Sequence, residues 1–238
     1  MKPIYEYLIN KQTKNKYKYH PKTVSELEKI ILQEMKIQET YECDLNCIDT
    51  SEVTVMSWLF QSIPELRKFN GNISEWDVSK VRNMYMMFCD SHFDGKNSDL
   101  RNWDVRNVVN MGSMFSNTMF DGDISTWQTD SLESCSFMFY FNRKWDGDLS
   151  KWNMSKVKFM HGMFENTSFT GTKGDIGRWD VSNCEEFDRM FKQSSFSGDL
   201  SNWDIKSAKS IDNMFVDCNL KRYPKWYKPR TIKARQRP

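Results

Sequence analysis

The chain has 238 residues, a formal net charge of +2, 39% hydrophobic residues and a mean hydropathy of −0.72. No apolar run approaches the roughly 18 residues that a membrane-spanning helix needs. The start, KPIYEYLINKQTKNKYKYH after Met1, is polar and lysine-rich without an apolar centre, so it does not read as a secretory signal and a cytoplasmic location is expected. In that setting Cys43, Cys47, Cys89, Cys135, Cys184 and Cys218 are expected as free thiols.

Residues 1–43 read as an N-terminal helical cap. Thr23-Val24-Ser25-Glu26 is a capping box, and Val24, Leu27, Ile30, Ile31 and Met35 follow at helical spacing. The pattern predicts an amphipathic helix over 23–38. It either covers the first repeat, as end repeats require, or binds a partner.

Residues 44–220 are internally repetitive. Trp76, Trp103, Trp127, Trp152, Trp179 and Trp203 follow one another at steps of 27, 24, 25, 27 and 24. Apolar residues stand three before each Trp and, with Thr129 as the exception, two, five, eight, eleven and twelve after it, the last two being Met-Phe in all six copies, from Met87-Phe88 to Met214-Phe215. A degenerate first copy runs from Leu45 to Phe60. A fixed period in the twenties marks a repeat stack in which no unit buries its apolar face alone. Spacing of two around the Trp suggests a short strand, and spacing of three beyond it suggests a short helix. The expected fold is therefore an α/β solenoid like a leucine-rich repeat. It would have about seven coils, with a parallel β-sheet on one face and short helices on the other.

The consensus F-x-G-D-[I/L]-S-x-W-D-V-S-x-V-x-x-M-x-x-M-F resembles the BspA-like leucine-rich-repeat family, over about residues 44–220. The segments IYEYLIN and LNCIDTSEV resemble its stand-alone phage or mobile-element members from Bacteroidota. The resemblance implies a surface or adhesion role in binding other proteins; with no export signal read at the start, a protein-binding role in a host cytoplasm or a virion is expected, and no residues argue for catalysis. The alternative is a surface or virion-associated adhesin or structural protein.

The polar residues flanking the Trp column form the candidate partner-binding set: Glu75, Asp77, Asn102, Asp104, Arg106, Gln128, Asp130, Lys151, Asn153, Arg178, Asp180, Asp204 and Lys206. They would line an open strand face, or else bond neighbouring backbone. A second column, Asn72, Asp99, Asp123, Asp148, Asp175 and Asp199, would cap its own turns or hold Ca²⁺. Two three-residue insertions, Lys96-Asn97-Ser98 and Thr172-Lys173-Gly174, are candidate edge loops for binding, or neutral. The Met-Phe columns are core. His20, His92 and His161 are scattered, so no catalytic residue, resident metal or cofactor is expected.

Residues 221–238 hold eight Lys/Arg and no acid. Tyr223, Pro224, Trp226 and Tyr227 are expected to seal the last repeat. The basic tail, with Lys228, Arg230, Lys233, Arg235 and Arg237, could attract nucleic acid or simply solubilise the chain.

Overall fold

The computed structural model describes residues 16–228. The capping box begins a helix as the sequence predicts: α1 spans Val24–Ile37, and the Glu26 amide donates to Thr23 Oγ1 at 3.2 Å. Glu26 reaches back one residue further than expected, to the Lys22 amide at 2.7 Å. Leu27, Ile31 and Met35 are buried, with Val24 and Ile30 packed beside them. The buried Glu34 takes hydrogen bonds from Lys18 (2.7 Å), Tyr19 (2.7 Å) and Gln38 (3.0 Å), tying the entering chain to the helix.

The rest of the architecture overturns the expected solenoid of about seven coils with a sheet on one face and helices on the other. Among the described residues there is no sheet. From α1 onward the described residues hold two further helical elements, the 3₁₀ turns Leu66–Lys68 and Ile176–Arg178. Successive repeats touch through isolated parallel bridges running Val55, Asn83, Asn110, Ser134, Phe159, Glu186, Ser210. That column lies seven residues after each Trp, in the segment expected to be helical. The segment around the Trp, expected to be strand, is a chain of turns.

Two features of the sequence produce this. Asp and Asn side chains bend the chain locally: Asp77 Oδ1 accepts the Ser79 amide (2.9 Å), Asp180 the Ser182 amide (3.1 Å) and Asn83 the Tyr85 amide (2.9 Å). Such Asx turns compete directly with strand pairing. Further on, two positions per repeat adopt positive φ. One column is Met86, Ser113, Phe137, Gly162, Arg189 and Asn213; the other is Asp90, Asn117, Phe141, Asn166, Gln193 and Asp217. Two left-handed residues four places apart exclude both a pleated strand and a helix in that segment.

The left-handed residues instead aim the backbone at the neighbouring repeat. The amides of Met84, Met86, Phe88 and Asp90 donate to the carbonyls of Asn110, Gly112, Met114 and Ser116 at 2.9–3.0 Å. The pattern recurs along the stack: Trp58→Tyr85, Met86→Gly112, Ser113→Ser136, Phe137→His161, Gly162→Asp188 and Arg189→Asp212, all at 2.7–2.9 Å. These rungs all run from an amide to a carbonyl of the next repeat, while a bond just before the bridge column runs the other way, as from Arg82 N to Thr54 O, Val109 N to Arg82 O and Lys158 N to Glu133 O (2.8–2.9 Å).

Beneath this ladder the core is stacked in columns, as the apolar spacing requires. The six Trp of the repeat column, Trp76 to Trp203, are at most 5% exposed. Each indole Nε1 donates to a carbonyl of the repeat before it, for example Trp127 to Leu100 at 2.8 Å and Trp179 to Leu149 at 2.9 Å. The rings of Phe60, Phe88, Phe115, Phe139, Phe164, Phe191 and Phe215 stack at 5.1–5.9 Å. Such rings carry large buried areas and a favourable stacking geometry.

Candidate functional site

The expected binding residues lie along the Trp flank, yet most are engaged in their own turns. Asp104 accepts the Arg106 amide (3.2 Å) and guanidinium (2.6–2.9 Å), and the Arg106 hydrogen bond holds its carboxyl below the usual carboxylate range. Asp204 accepts the Lys206 amide and ammonium, both at 3.1 Å. Asn153 accepts the Ser155 amide (3.2 Å) and donates to Asp130 (3.0 Å). Arg178 pairs with Asp175 (2.9 Å), and Glu75 with Lys16 (2.9 Å). Asn102, Gln128 and Lys151 are exposed. The second column caps its own turns, as with Asp99 to Arg101 N (3.0 Å) and Asp148 to Ser150 N (2.7 Å).

The insertions are tied down as well. Ser98 is buried, its hydroxyl accepting the Ile73 amide (2.8 Å) and donating to the Gly71 carbonyl (2.9 Å). Asn97 donates to the Asn70 carbonyl (2.7 Å), and Lys96 pairs with Asp94 (2.7 Å). Thr172 bonds Thr170, and Lys173 lies 3.9 Å from Asp146. Gly174 is demanded by its neighbour, since a Cβ there would sit 1.7 Å from Asp148 Oδ1. Of the tail residues, Lys228 is exposed, while Arg230, Lys233, Arg235 and Arg237 lie outside the described residues.

A different surface has the shape of a site. On the left-handed face, a groove of about 630 Å³ is lined by Met86, Cys89, Asp90, Ser113, Ser116, Asn117, Phe137, Tyr140, Phe141 and Arg189. Its floor exists because one repeat carries Ser113 and Ser116 where its neighbours carry Met86 and Cys89 on one side and Phe137 and Tyr140 on the other. Three rings form the second wall: Phe137 and Tyr140 meet edge-on at 5.5 Å, Tyr140 and Phe141 at 4.6 Å. Gly162 (φ +57°) makes room for the Phe137 ring, 2.6 Å from where a Cβ would stand. Arg189 reaches across it, 5.7 Å from the Phe137 centroid, and donates to His161 Nε2 at 2.8–3.2 Å. The buried Glu165 steadies this cation, 3.6 Å from Arg189 and 2.9 Å from Lys192. The Cys89 thiol is pushed up to about 12, first by burial and then by the Asp90 charge, so it stays protonated. Past Phe141 the hollow continues along Asp94, His92, Met119 and Arg143.

Phe137 and Phe141 hold positive φ (57° and 58°), a conformation that bulky residues rarely adopt. Phe141 and Met119 also expose large apolar side chains, at 37% and 53%. These residues were not singled out from the sequence, although a signal existed. In the column holding Phe141, the other members are Asp90, Asn117, Asn166, Gln193 and Asp217, and the lone aromatic stands out once the column is known to be left-handed.

All six cysteines are unpaired. Among the described residues no helix is long and apolar enough to cross a membrane, and no three His, Cys, Asp or Glu gather as an ion-holding group.

Stacked turn-built units sharing one aromatic core define the molecule as a tandem-repeat protein. The chain belongs to the DUF285 family, described as a Mycoplasma protein of unknown function, which matches over residues 29–140, 91–174 and 135–226. That family is related to the BspA-like repeat proteins. No curated protein and no solved structure matches the chain.

Proposed function

We propose that the protein is a non-enzymatic recognition module that holds an extended segment of a partner protein in the groove between Met86 and Phe137. The observation that carries this reading is Phe141, a partly exposed aromatic held at positive φ in a column otherwise made of Asn, Asp and Gln. Strain of that kind persists where surrounding structure enforces it, often at binding surfaces, and aromatic and Arg anchors dominate protein interfaces. The rings favour an apolar anchor side chain, and Arg189 favours an acidic group beside it.

Selection from a random peptide library on the immobilised full chain tests the proposal. Enriched peptides should pair an aromatic or aliphatic residue with an acidic one. Their binding should weaken at least tenfold on Arg189→Ala or Phe141→Asn and survive Asp77→Asn combined with Asp180→Asn. Peptides that ignore the groove variants and are lost with the Asp variants would move recognition to the Trp flank and refute the groove.

A further inference from the structure

The forward rungs of the left-handed face leave the two ends of the stack chemically different. On that face the last repeat ends on amides and the first on carbonyls. At the C-terminal end, the amides of Ile211 and Asn213 have no acceptor among the described residues, whereas the Phe215 backbone bonds the Tyr227 hydroxyl. At the other end, the carbonyls of Val55 and Ser57 have no donor, whereas Leu59 O takes the Ser62 hydroxyl (3.3 Å) and Gln61 O takes Arg67 Nε (2.8 Å).

The open groups are matched by register. Met56 N donates to Asn83 O, and Trp58 N to Tyr85 O, both at 2.9 Å. The same step carried past the last repeat pairs Ile211 N with a Val55 carbonyl and Asn213 N with a Ser57 carbonyl. Thus the two rungs left open at one end are the two left open at the other. Unpaired edges of this kind are templates for another chain.

Two further observations single out a second copy of this chain as the occupant. Apolar surface gathers at both ends, with Val55 and Trp58 43% and 42% exposed and Val216 and Tyr223 36% and 48% exposed. Charge is opposed as well: residues 23–65 hold nine acidic and two basic side chains, while the described residues 221–228 hold four basic and no acidic ones. We infer that copies associate head to tail, the Ile211–Asn213 edge of one continuing onto the Val55–Ser57 edge of the next. Such a contact is heterologous and does not close on itself.

Sedimentation of the full chain over a dilution series tests this. The weight-average mass should climb from 28.4 kDa through successive multiples as concentration rises, and fall back in high salt. Val55→Lys blocks the acceptor end at an exposed side chain. Ile211→Pro removes a donor that bonds nothing within the described chain, and Val216→Lys replaces it if that proline perturbs melting. Each variant alone should remain monomeric, while an equimolar mixture of one from each end should form a dimer and stop. A wild type that stays at one mass throughout, a closed dimer, or growth unaffected by Val55→Lys would overturn the inference.

Discussion

The indole of Trp226 donates to the carbonyl of Leu200 at 2.9 Å, the same bond that Trp203 makes with Ile176 one repeat earlier. The C-terminal cap thus continues the Trp column rather than ending it. Tyr223, Trp226 and Tyr227 all pack on Phe215. Replacing Trp226 by Phe removes that hydrogen bond and should cost about 1 kcal/mol. Thermal melts of the variant and parent measure it. An unchanged melting temperature would mean that the cap is not part of the cooperative unit.

Inside the stack the same column matters more. Trp127 is 1% exposed and stacks between Trp103 and Trp152 at 6.3 and 6.0 Å. Trp127→Ala should destabilise the protein by about 3–5 kcal/mol, because the neighbouring rings cannot collapse into the space. Denaturant titration gives the value.

Phe141→Asn should act in the opposite sense. Asn117 and Asn166 already occupy equivalent left-handed positions. Asn tolerates that conformation better than Phe, so a gain of about 1 kcal/mol is expected. Higher stability with lost peptide binding would mark Phe141 as retained for recognition. Lower stability would show that its ring contributes to packing.

The N-terminal cap should loosen in acid. Burial pushes the Glu34 carboxyl up, but hydrogen bonds from Lys18, Tyr19 and Gln38 outweigh it, and its pKa is lowered overall. A lowered folded value means the contribution is present above the unfolded pKa of about 4.3 and is lost as pH falls through the folded one. Amide exchange of Leu27 and Ile31 should accelerate in that window, and Glu34→Gln should remove the pH dependence.

Thiol reactivity should follow depth. Burial pushes Cys135 well above an ordinary thiol and Cys184 up to about 12, while Cys47 and Cys218 are raised but only half-buried. Native-state alkylation read by mass spectrometry should label Cys47 and Cys218 first and Cys135 last.

Sequence periodicity revealed the core almost residue by residue. Trp76 to Trp203, the Met-Phe pairs and the α1 face are all where apolar spacing puts them, because burial depends on spacing alone. Backbone conformation was hidden. Asp77-Val78-Ser79 alternates like a half-buried strand, but the Asp side chain folds onto the Ser79 amide and makes a turn. Met84-Tyr85-Met86 spaces like a helix, yet Met86 is left-handed. The groove was hidden for a related reason, since Phe141 becomes an outlier only when its column is known to require positive φ.

The most direct test of this architecture is native-state amide exchange followed by NMR. The rung amides of Met86, Ser113, Phe137, Gly162 and Arg189 should be strongly protected. The amides of Asp77, Asp104 and Asp180, which donate to no acceptor among the described residues, should exchange fast. The reverse pattern, protection of the Asp77, Asp104 and Asp180 amides and fast exchange on the left-handed face, would restore a strand at the Trp and contradict the ladder.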